Sequence, residues 1–164
     1  MTWEDRVRLV RDKGFTDRQA AFLVTVMLHA GVCLGRHYCD FARIPYGRKM
    51  HDFFQLLLAR RYATSRRCGH HKARLYHIHH KPLYRAIGEP NNRHRKPTTL
   101  PRAIERLMVL DAVLADRECT WLATEQDKLA YFTLTHRIPR PDLPSLHDPA
   151  AASREGLDEI LRFR

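Results

Sequence analysis

The chain has 164 residues with a formal net charge of +11, and 44% of its residues are hydrophobic and 29% charged. That length accommodates one ordinary domain with an appendage, or two small ones, and excludes large enzyme architectures. The composition is globular rather than disordered. The longest apolar stretch, Ala20 to Val24 and Val26 to Leu28, is far short of the roughly 20 residues that span a bilayer. No membrane role is expected. The acidic opening Thr2-Trp3-Glu4-Asp5 lacks the basic start of a secretory signal, so the expected location is cytoplasmic.

Divided along the chain, the charge is informative. Residues 1 to 42 hold six Lys or Arg against five acids, residues 103 to 164 hold eight against eleven, and residues 43 to 102 hold fifteen against two. The whole excess lies in the middle third, opposed only by Asp52 and Glu89. Solubility is served by mixed signs, whereas an unopposed block repels itself, so a polyanion is the expected partner.

In chain order, 4 to 11 is a short helical segment. Phe15-Thr16-Asp17-Arg18-Gln19 then carries a capping box, Thr16 with Gln19, and Ala20, Leu23, Val24, Met27 and Leu28 recur at helical spacing. A helix over 17 to 29 follows, stopped by Gly31, with 31 to 33 read as a break. A brief helix over 35 to 41, with Tyr38 and Phe41 inward, ends before Ile44-Pro45, and Tyr46-Gly47 is a turn. From 48 to 60, Met50, Phe53, Phe54, Leu57 and Leu58 form an apolar face opposite Arg48, Lys49, His51, Asp52 and Gln55. Residues 61 to 67 and 73 to 79 alternate as two strands of a basic β-hairpin.

This order is that of a winged helix-turn-helix, with the third helix in the major groove and the hairpin on the flanking backbone. The run Phe53-Phe54-Gln55-Leu56-Leu57-Leu58-Ala59-Arg60-Arg61-Tyr62 resembles the recognition-helix exit of bacterial winged helix-turn-helix regulators of the MarR-like or PadR-like type. Tyr76-His77-Ile78-His79-His80-Lys81-Pro82 takes the place of their second wing strand, with His79 where a Tyr-x-x-Thr stretch has Thr. The resemblance covers about 15 to 88. A looser similarity, carried by 107 to 132 with Trp121-Leu122-Ala123-Thr124-Glu125, is to replication-relaxation-type proteins of mobile elements. It implies, as an alternative, a DNA-binding accessory for replication or mobilisation, on a chain that stops before a second domain.

The C-terminal third opens with a basic, Pro-rich linker over 89 to 100. Arg102 to Arg117 reads as a helix started by Pro101, with Ile104, Leu107, Met108, Leu110, Val113 and Leu114 apolar. Such a helix must dock on its own domain or on a second copy, and Ile104, Leu107, Met108 and Leu114 are the candidate homodimer face. Residues 119 to 123 read as a strand, Thr124 with Asp127 caps a helix to about 132, 139 to 144 is extended, and a short helix is expected near 157 to 162.

The expected fold is therefore mainly α with a small β-hairpin: a winged helix-turn-helix over 1 to 88, the linker, and a helical or αβ extension over 101 to 164. The expected function is sequence-specific binding of double-stranded DNA, as a transcriptional regulator. Arg48, Lys49, His51 and Gln55 are expected on base edges. Arg43, Arg60, Arg61, Arg66, Arg67, Lys72 and Arg74 are expected on phosphates, and Arg93, Arg95 and Lys96 as a flexible arm reaching phosphates or a minor groove.

Other chemistry fits less well. Cys33, Cys39, Cys68 and Cys119 lack short paired spacing and read as buried free thiols, the first two in an apolar helix. Cys68, His70, His71, His77, His79 and His80 match no zinc spacing, so no metal is expected. No phosphate loop, nucleophile elbow or zincin motif occurs; Asp111, Glu125 and Asp127, the carboxylates a nuclease would use, read as helix surface and cap. An RNA-binding sheet with aromatic spacing is absent. The expectation is a binding protein without cofactor, not an enzyme.

Overall fold

Threonine capping boxes start the first two helices. In α1 (Trp3–Arg11), the Thr2 hydroxyl accepts from the Asp5 amide at 3.2 Å and the Asp5 carboxylate accepts from the Thr2 amide. In α2 (Asp17–His29), the Thr16 hydroxyl accepts from the Gln19 backbone amide at 3.3 Å while the Gln19 side-chain Oε1 accepts from the Thr16 backbone amide. Each box satisfies amides that a helix start leaves without partners. From Phe22 to Leu28 every α2 residue is buried, which makes α2 the central helix of its unit.

The computed structural model describes residues 1–68, 73–116 and 118–143. Lys72, the tip histidines His70 and His71, and the helix expected near 157 to 162 lie outside these residues. After α2 come β1 (Val32–Leu34), α3 (Gly35–Ala42), α4 (Arg48–Ala59), β2 (Ala63–Arg67), β3 (Arg74–Ile78), α5 (Lys81–Ala86) and α6 (Leu100–Ala115). As expected, the fold is mainly helical with one small antiparallel sheet; the sheet has three strands, in the order β1-β3-β2. Cys33 pairs with Tyr76 and Ser65 with Tyr76, so β3 is the central strand.

Five expectations are corrected. The break at 31 to 33 contains β1: Val32 to Leu34 is too short to show alternation, but it pairs along β3. Cys33 is therefore in a strand, not a helix, and Cys119 is exposed rather than buried. No strand forms over 119 to 123, because the Asp116 carboxylate accepts from the amides of Glu118 and Cys119 and turns the chain. The segment 89 to 100, expected as a free linker, is folded. Its Asn92 side chain caps a 3-10 turn (Arg93–Arg95), and the carbonyl of buried His94 accepts from His77 Nε2 at 3.0 Å on β3.

Two compact units result, Met1–Cys119 and the part from Thr120 onward. In the second, Thr124 and Asp127 form the expected capping box of α7 (Glu125–Ala130), which continues into a wide turn over Tyr131–Thr135.

Helix α6 is tied to the first unit by a polar latch. The Arg36 guanidinium donates two bonds of 2.7 Å to the Asp111 carboxylate, a bidentate fork that also receives His37 Nε2 at 2.9 Å. His37 is fully buried, and its Nδ1 accepts from the Leu34 amide at 3.0 Å, so the neutral ring carries its proton on Nε2. The apolar part of the contact is Ala103, Leu110 and Val113, all buried.

Candidate nucleic-acid interface

Helix α4 is held along one edge by aromatic packing. The Phe53 ring lies 4.3 Å from that of Tyr38 and 6.1 Å from Phe22, while Phe54 stacks on Tyr76 of β3 at 4.0 Å. Met50 and Leu57 complete the buried edge. At helical periodicity this turns Arg48, Lys49, His51, Asp52 and Gln55 outward, and all five are exposed. Asp52 reaches Arg48 at 3.6 Å, but the Arg48 side chain is 93% exposed, so this pair contributes little.

The first turn of α4 is electrostatically unlike those of α1 and α2. Its N-cap is Gly47, which offers no side chain to the free amides, and no acid sits in the turn. Arg48 and Lys49 add positive charge where the helix dipole is already positive, an arrangement that favours an anionic partner. Beside it runs the hairpin: His51 and Arg74 line one depression with Tyr46, Gly47, Met50 and Tyr76. Arg67 is the cross-strand partner of Arg74. Burial pushes the Tyr76 hydroxyl pKa up, so it stays protonated at the wall of this depression. Tyr46, 75% exposed, belongs to this surface; sequence reading saw only a turn there, although a bare aromatic next to a basic helix start was the available signal.

The fifteen cations do not form one surface. Arg48, Lys49, Arg67 and Arg74 gather around the α4 N-terminus and the hairpin. Arg60 is at the other end of a helix about 18 Å long. There its guanidinium donates to the Lys13 carbonyl at 3.0 Å and sits 5.8 Å from the Phe15 ring centroid, so it is engaged within the fold. Arg61 is exposed beside it, and Arg43 is exposed at the end of α3. Because side chains alternate along a strand, Arg66 points to the sheet face opposite Arg67. Arg93, Arg95 and Lys96 belong to the folded 89 to 100 segment; Arg95 is half-buried and its Nε donates to the Pro90 carbonyl, so they are not a flexible arm.

His77 and His79 share a strand face, with ring centroids 5.9 Å apart. Among the described residues no group of three or more His, Cys, Asp or Glu is placed to hold a metal ion. Asp111 is committed to Arg36 and His37, and Asp127 to the α7 cap. No helix among the described residues is long and apolar enough to cross a membrane. No protein-family model, curated protein or solved structure matches this chain.

Proposed function

We propose that this protein binds double-stranded DNA as a winged helix-turn-helix, with α4 in the major groove and the β2–β3 hairpin on the adjoining backbone, and acts as a sequence-specific regulator. The observation that carries this reading is the exposed, uncapped, basic first turn of α4 lying against Arg74 and His51 in one depression. A helix with one bare polar edge fits the major groove, and Arg48, Lys49, His51 and Gln55 on that edge have the donors and acceptors that base edges require. Arg67 and Arg74 flank it as phosphate contacts.

The test is fluorescence anisotropy on a selected duplex and its single-base variants over a salt series. Arg48→Ala is expected to weaken the selected duplex by about 10- to 100-fold and to relax discrimination at one position. Arg74→Ala is expected to weaken all duplexes alike and to reduce the salt slope by about 1. Arg85→Ala, exposed on α5, serves as the control and should change little. If all three variants matched the parent, the assignment of α4 and the hairpin would be wrong.

A second copy is the partner proposed for α6. Ile104 and Met108 are 51% and 67% exposed, one helical turn apart, and Leu107 and Leu114 are half-buried. Two-fold pairing through this face would present two α4 helices to two half-sites. Sedimentation velocity should show concentration-dependent dimerisation that the double variant Ile104→Glu, Met108→Glu abolishes. A parent that stays monomeric at the highest concentration reached, with or without DNA, rejects the pairing.

A further inference from the structure

The reverse face of the sheet carries a cleft of its own. Residues Leu75, His77 and His79 project from β3 away from α4, next to Thr64 and Arg66 of β2, which are the cross-strand partners of His77 and Leu75. The segment 95 to 103 passes over this face, anchored by the His77 to His94 bond, and encloses an open cleft of about 540 Å³. That size falls in the range of small-molecule sites.

Its chemistry is one-sided. Arg66 and Arg95 supply guanidinium groups, Thr64, Thr98 and Thr99 supply hydroxyls, and among the described residues no carboxylate lines the cleft. Leu75, Pro97, Leu100 and Ala103 form an apolar wall. Two lining atoms, His79 Nε2 and Thr98 Oγ1, are buried without a hydrogen-bond partner among the described residues. Buried polar groups are normally satisfied, so these two atoms offer a ligand in the cleft unmet hydrogen-bonding capacity. Burial holds the His77 pKa below its usual value, so its ring is a neutral hydrogen-bonding group, not a charge competing with the guanidinium groups.

We propose that this cleft binds a small phosphate monoester with a hydroxyl-rich body, the phosphate on Arg66 and Arg95 and the body hydroxyls on His79 and Thr98. Guanidinium forks match phosphate oxygens, and the cleft is larger than a bare phosphate needs. The alternative source of the same oxyanion is the DNA backbone, but α4 lies on the other face of the sheet. The proposal does not depend on the DNA-binding reading.

Isothermal titration of the full chain with ribose 5-phosphate, ribose and inorganic phosphate tests it. Ribose 5-phosphate should bind at least tenfold more tightly than either fragment. Arg66→Gln and Thr98→Val should each weaken it fivefold or more. Among the described residues neither side chain makes a hydrogen bond, so both variants should keep the parent's urea midpoint. Equal weak binding of phosphate and ribose 5-phosphate, unaffected by the variants, would mean only general attraction to a basic surface and overturns the proposal, as does the absence of any heat. Displacement of ribose 5-phosphate by duplex DNA, with Arg66→Gln weakening both equally, would assign the oxyanion site to the DNA backbone and also overturns it.

Discussion

Gly31→Ala is expected to destabilise the protein by about 3–5 kcal/mol, a large part of the total stability of an ordinary domain. Gly31 ends α2 with φ +69, and a Cβ there would press into the carbonyl oxygen of His94. That oxygen cannot readily retreat, because it accepts from His77 Nε2 on β3, while the Gly31 carbonyl itself accepts from the Ile78 amide at 2.8 Å. The collision therefore falls where α2, the sheet and the 93 to 95 turn meet. Gly88 is the comparator: its φ is +82, but the nearest atom to an added Cβ is the end of the Met1 side chain at 3.7 Å. Gly88→Ala should cost only the backbone strain, about 1 kcal/mol. Urea unfolding of both variants reads the difference, and equal losses would mean that the contact with His94 carries no energy.

The second large effect is acid sensitivity. His94 is buried, and its pKa is pushed down to about 3, first by burial and then by the charges of Arg106 on α6, Arg93 beside it, His29 on α2 and His77 on β3. His77 and His37 are shifted in the same direction, each mainly by burial; Arg36 adds to the shift at His37, and Asp111 opposes it. An unfolded histidine takes up its proton near pH 6.5, before these folded ones do. The stability they confer is thus complete above pH 6.5 and is lost as the pH falls from there toward each folded pKa. For His94 the loss between pH 6.5 and 5 is on the order of 2 kcal/mol. Urea midpoints should fall between pH 7 and 5, and His94→Gln should flatten that dependence. Direct titration of the rings by NMR provides the check that survives a poorly folded variant: a His94 ring protonating near pH 6.5 in the folded protein would refute the account.

Much of this architecture was legible because it rests on local rules. The Thr16–Gln19 and Thr124–Asp127 boxes announce α2 and α7, and the phenylalanine pair in α4 separates its buried and exposed edges at helical spacing. What was hidden depends on long-range packing. Three residues of β1 hold too little alternation to be seen until β3 lies beside them. The latch joins residues 75 positions apart, Arg36 and Asp111, each of which alone reads as a surface charge. Charge divided by position along the chain finds the basic third but not its faces. Arg66 and Arg67 are neighbours in sequence and on opposite sides of the sheet, and Arg60 is drawn back onto Lys13 and Phe15. The segment 89 to 100 reads as a linker because its prolines and cations are polar-loop residues, and it takes the His94 carbonyl bonded to His77 on β3 to tie it into the fold.

The fork between Arg36 and Asp111 has a mechanical corollary. Two parallel bonds fix the orientation of the Arg36 and Asp111 side chains as well as their separation, so a rotation of α6 about this contact would be passed to α3. The far end of α3 leads through four residues into Gly47 and α4. A partner that grips the outer side of α6 would therefore also bear on the angle of α4, and two copies joined there would couple the spacing of their two α4 helices to that bonded path of charge.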